Sequence, residues 1–147
     1  IKYISILMLI ILAILAFIFF VVPMFITVPN DSSMSDANSN AYYVRLCTEN
    51  ILKNYDFSES KSNEIIIKGK DFDIIDSPIK IELSDQEKAE LGEKFYGYWV
   101  VVYDVENNKV KYALWSLREI KEVNQLTPQD QDKFKSKKDI IGCSPLK

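Results

Sequence analysis

The residue types that most often carry chemistry are scarce in this chain of 147 residues. There is no histidine, which removes the commonest general base and the commonest nitrogen ligand for a metal together. The thiols are two, Cys47 and Cys143. Gly69, Gly92, Gly97 and Gly142 are too dispersed to form a loop that cradles phosphate, and no serine stands in a nucleophile-elbow context. Asp71, Asp73 and Asp76 form the one dense acidic group. They lack the glycine and the closing glutamate of a calcium loop, so they read as surface carboxylates, with a weak cation site as the sharper alternative. No cofactor or metal is expected, and no enzymatic activity, although spacing alone leaves room for a two-carboxylate hydrolase.

What the chain does concentrate is aromatic surface. Tyr96, Tyr98, Trp99, Tyr103, Tyr112 and Trp115 fall within two consecutive strand-like runs, 95–105 and 110–117. Tyrosine and tryptophan concentrate binding energy at protein interfaces, but they also favour strands in general, so a hairpin buried on both faces is the plainer reading. The candidate binding residues are Tyr98, Trp115 and Tyr96.

The elements that must position these side chains follow from local pattern. Asn107-Asn108 between the two runs tolerates the positive φ of a two-residue hairpin turn. That turn predicts that Asp104 faces Lys111, Tyr103 faces Tyr112 and Val101 faces Leu114, so opposite charges pair and apolar residues share a face. It places Trp99, Tyr103 and Tyr112 on one face, expected to be core, and Tyr98, Val100, Trp115 and Leu117 on the other.

Upstream, Tyr43, Cys47, Ile51 and Tyr55 recur every four residues, an amphipathic helix with Asn40 or Ser39 as its cap. Residues 64–68 and 71–75 read as a hairpin about Gly69-Lys70, and the strict alternation of 79–83 as a third strand. Ser84 and Glu87 have capping-box spacing before a short helix that ends at Gly92. The run Leu117, Ile120, Val123 fits a helical turn or two, or a continued strand. Thr127 caps a last helix with Pro128 at its first position, and Lys135, Lys137 and Lys138 at its end suit the helix dipole better than a phospholipid site.

The first 28 residues differ from all of this. They hold one charge, Lys2, whereas all 21 acidic and 17 of the 18 basic residues follow from Asn30 onward. Residues 3–26 are long and apolar enough to predict one transmembrane helix, too long for a signal peptide with a nearby cleavage site. Lys2 ahead of the helix places the N-terminus in the cytoplasm, and the rest of the chain on the periplasmic or extracellular side of an inner or plasma membrane. Pro23 and Pro29 should stop the helix, and 29–40, rich in Asn, Ser and Asp, should be a flexible tether. In that oxidising setting Cys47 and Cys143 are expected to pair as a disulfide.

The expectation is therefore an α+β protein in three parts. Residues 1–28 form the anchor, 29–40 the tether, and 41–147 a small antiparallel sheet with helices packed on it. The mild acidity gives no nucleic-acid footprint. The expected partners are the membrane, through residues 3–26, and another protein. The expected function is a non-enzymatic, membrane-tethered binding module, such as an immunity or inhibitor protein. An accessory single-pass subunit of an envelope complex is the alternative, and an envelope enzyme comes third.

Overall fold

The computed structural model describes residues 2–92, 95–134 and 140–147, and the side chains of all of these except 2–4 and 21–32. The chain divides into two compact units, Ile1–Ser33 and Met34–Lys147.

The first unit corrects the expectation of a membrane anchor. Helix α1, Lys2–Ala16, is 15 residues long and gives way to a π-helical turn, Phe17–Val21. At 1.5 Å per residue α1 extends about 22 Å, short of a hydrocarbon core of roughly 30 Å. Helix α2, Val22–Leu52, then takes in the polar run from Asn30 to Asn40. Among the described residues no helix is long and apolar enough to cross a membrane. The single-pass assignment, and the cytoplasmic N-terminus and periplasmic or extracellular domain that were built on it, fall with that finding. The apolar side chains from Ile6 to Phe20 are exposed.

Residues 29–40, expected as a tether, lie inside α2. From Met34 onward the reason is a stripe: Met34, Ala37, Ala41, Val44, Thr48 and Ile51, spaced alternately three and four apart, are all buried, which is the periodicity of one helix face. Neither Pro23 nor Pro29 stops the helix: both lie within α2, which follows the π-helical turn Phe17–Val21 without a break.

The second unit is an α+β fold around a five-stranded antiparallel sheet in the order β2-β1-β3-β4-β5. The strands are β1, Glu64–Lys70; β2, Asp73–Asp76; β3, Tyr98–Asp104; β4, Lys109–Ser116; and β5, Gly142–Ser144. Helices α3, Asp85–Leu91, and α4, Pro128–Phe134, complete it. Helix α2 covers one face of the sheet, where Ala41, Val44 and Ile51 pack with Ile67, Trp99, Val101, Tyr103, Ala113 and Trp115. On the other face Val100, Leu114, Ile120 and Cys143 form a smaller core with Val123, Leu126 and Ile141.

This two-faced arrangement corrects the disulfide. Cys47 packs against the α2-side core and Cys143 lies in the core beyond the sheet, so the strands separate the two sulfurs, and both are free thiols.

The short helices follow their local signals. Ser84 and Glu87 form a reciprocal capping box on α3, with Gly92 at its C-terminus at φ 68°. Thr127 and Asp130 do the same for α4: the Asp130 N–H donates to the Thr127 hydroxyl and the Thr127 N–H to the Asp130 carboxylate. Lys135, Lys137 and Lys138 lie outside the described residues.

Strand pairing departs from expectation at three places. The first hairpin turns at Asp71-Phe72 rather than Gly69-Lys70, pairing Lys70 with Asp73. Gly69 stays in β1 because the Trp99 indole lies directly on it, and Asp71 takes the positive φ, 52°. Residues 79–83 keep their alternation but form no strand. The main hairpin closes through four residues, Val105–Asn108, and carries a bulge after Val102, where Lys111 is the extra residue. Tyr103 therefore faces Val110, Val101 faces Ala113 and Trp99 faces Trp115. The shift moves Trp115 onto the Trp99 face and Tyr112 onto the Tyr98 face. Residues 117–123 are neither helix nor strand.

Strand β5 was not foreseen. A Cβ on Gly142 would overlap the Ala37 backbone, so α2 and β5 touch closely. The Cys143 N–H donates to Asn38 Oδ1 at 3.0 Å, and Asn38 exchanges two amide bonds with Gln131 of α4.

Candidate functional site

Tyr96 stands just ahead of β3 and is 45% exposed. Its ring meets that of Trp115 edge to face, centroids 5.4 Å apart, and the Trp115 indole N–H donates to the Tyr96 carbonyl. The Tyr96 hydroxyl lies 3.5 Å from Asn40 Nδ2 on α2. Aromatic pairs prefer this geometry because the positive ring edge meets the negative ring face.

The backbone that presents Tyr96 is fixed by its neighbour. Gly97 sits at φ 81°, and a Cβ there would meet the Ser116 carbonyl at 2.9 Å and the Trp115 indole nitrogen at 3.1 Å. Only glycine enters such a turn at no steric cost. Asp71 clamps it: its carboxylate accepts the Gly97 N–H at 2.9 Å, its own N–H donates to the Gly97 carbonyl at 2.8 Å, and its carbonyl accepts the Trp99 indole N–H at 2.9 Å. The Asp71 carboxylate is thus turned onto Gly97, and among the described residues no three His, Cys, Asp or Glu side chains are grouped so as to hold a metal ion.

The three residues singled out from sequence therefore have three different placements. Trp115 is 6% exposed and belongs to the core, so it supports the site from beneath. Tyr96 is the exposed member. Tyr98, half-buried on the opposite face of the sheet, has the Lys70 ammonium 5.3 Å from its ring centroid. Leu117, just past β4 at 68% exposure, adds apolar surface at the same end of the hairpin. Sequence reasoning missed Asp71 and Gly97 as positioning residues; the one local signal was the tolerance of Asp for positive φ.

Among the described residues, no group with a displaced pKa moves toward neutrality. Burial raises the Cys47 and Cys143 thiols above their ordinary range, away from the thiolate that a nucleophile needs. Among the described residues every carboxylate with a displaced pKa is displaced downward. Hydrogen bonds from the Ser84 backbone lower Glu87, those from Asn107 lower Asp104, and those from Thr127 hold Asp130 down to about 2. A carboxylate that donates a proton near neutrality needs the opposite shift.

No protein-family model matches the chain, no curated protein matches it in sequence, and no solved structure matches its fold.

Proposed function

We propose that the unit Met34–Lys147 is a non-enzymatic protein-binding module that receives its partner at the Tyr96 end of the β3–β4 hairpin. The observation that carries this reading is Tyr96 itself, a large aromatic side chain close to half exposed while its ring and carbonyl are both held by Trp115. A pre-positioned tyrosine gives up little conformational entropy on binding, and such residues anchor interfaces. Leu117 extends the apolar contact and Asn40 supplies a polar group at the rim. The absence of histidine from the sequence and the downward-shifted carboxylates weigh against a hydrolytic role. Neutralisation of another protein, as by an immunity protein or inhibitor, is one form that such binding takes.

The test is site-specific crosslinking in the source cell. A photoreactive amino acid at position 96 or 117 should yield one protein adduct, and the same amino acid at position 59, an exposed site on the loop before β1, should not. Equal adducts at all three positions, or none at 96 and 117, would remove the reading.

A further inference from the structure

The free edge of the sheet has its own construction. Strand β2 is terminal in the sheet. Beside it runs an open groove, with Phe72, Asp73 and Ile74 on one wall, Ile81, Glu82 and Leu83 on the other, and Lys88 of α3 also lining it. The second wall is the segment 79–83, which alternates like a strand, Ile81 buried and Lys80 and Glu82 exposed. Yet among the described residues no backbone N–H from Lys80 to Leu83 has a protein partner. The groove thus has extended backbone on both sides, one of them unpaired, which is the setting for strand addition.

Charge decides what fits. Asp73-Ile74-Ile75-Asp76 reads the same in both directions. In a symmetric antiparallel pairing with a second copy, Asp73 of each chain would face Asp76 of the other, and like charges placed directly opposite are destabilising. Asp76 has no ion-pair partner among the described residues, and Asp73 has only Lys88 at 3.8 Å with its own side chain 78% exposed. Ile75, the extra residue of a bulge against β1, is 55% exposed.

We infer that this groove accepts an extended peptide segment of a partner protein, in which two basic residues three positions apart flank two apolar ones. Either strand direction then sets a cation against both Asp73 and Asp76. The apolar pair rests on Ile74 and Ile75.

Two synthetic peptides test it, one with the core Lys-Ile-Val-Lys and one with Glu-Ile-Val-Glu in the same flanks, each titrated into the full chain. The basic peptide should bind about tenfold or more tighter, from two cross-strand pairs reversed in sign. It should also slow hydrogen exchange at the amides of 73–76 and 80–83, and Tyr96→Ala should leave all of this unchanged. The double variant Asp73→Lys, Asp76→Lys should reverse the preference. Equal binding of the two peptides, protection elsewhere than β2 and 79–83, or a dimer of the chain paired through β2 would overturn the inference, since the acids would then only guard the edge.

Discussion

The Trp115 indole N–H donates to the carbonyl of Tyr96, and the two rings meet at 79°. One residue is almost wholly buried and the other is exposed, so the pair links the core of the sheet to its surface. Its two members should respond differently to substitution.

Trp115→Ala should cost about 3–5 kcal/mol, as a large aromatic truncation in a core does. Trp115→Phe keeps a ring but leaves the Tyr96 carbonyl without its donor, and should cost about 1–3 kcal/mol. Urea unfolding of the two variants measures both, and a Trp115→Ala protein as stable as the parent would place the indole outside the core.

Gly69→Ala tests the contact that displaced the first turn. The φ of Gly69 is ordinary, so any penalty comes from the Trp99 ring that lies on it. Overpacking of this kind costs about 1–3 kcal/mol or more. A neutral substitution would mean that the indole is free to move aside.

Much of the fold was legible where its cause is local. The capping box at Ser84 and the cap at Thr127 formed where the sequence placed them, and Thr127 gains a reciprocal bond with Asp130 three residues on. The turn residues Asn107 and Asn108 were also recognisable, but the register depended on contacts further away. Asp104 accepts hydrogen bonds from the Asn107 backbone and side chain, and the Tyr103 hydroxyl donates to Asn108 Oδ1. These hold a four-residue loop, and the bulge at Lys111 then carries Trp115 to the other face. Strand β5 is three residues long and depends on Asn38 and Ala37, more than a hundred positions away in sequence. No local pattern announces it. The polar composition of 29–40 read as a tether because the buried members of its stripe, Met34 and Ala37, are only two. Of the site, the sequence named Tyr96 as a candidate beside Tyr98 and Trp115, whereas the burial of Trp115 followed from the register.

The thiols should behave as two separate groups. After denaturation without reductant both Cys47 and Cys143 should react with a maleimide, and dithiothreitol should leave the melting temperature unchanged. Burial raises both folded pKa values. The folded chain therefore binds more protons than the unfolded one in alkaline solution. The thiols' contribution is complete below the ordinary value of about 8.5 and is lost as pH rises through the raised folded values. Stability that rises above pH 9 would contradict the free, buried thiols.

Asp130 gives the opposite pH dependence. Thr127 hydrogen bonds, followed by Lys133, hold its carboxyl down to about 2. Its contribution to the start of α4 is present above the unfolded value of about 3.9 and is lost as pH falls toward 2. Carboxyl titration by NMR should show Asp130 protonating last among the aspartates with resolved shifts, and in Asp130→Asn the amide of Gln131 should exchange faster at neutral pH.

The most direct test of the binding surface joins stability and capture in one variant. Tyr96→Ala should melt within a few degrees of the parent, because an exposed side chain removes little core, and should lose the crosslinked adduct formed from position 117. A Tyr96→Ala protein that retains the adduct at full yield, or that unfolds as Trp115→Ala does, would contradict the assignment of Tyr96 as the anchor of the interface.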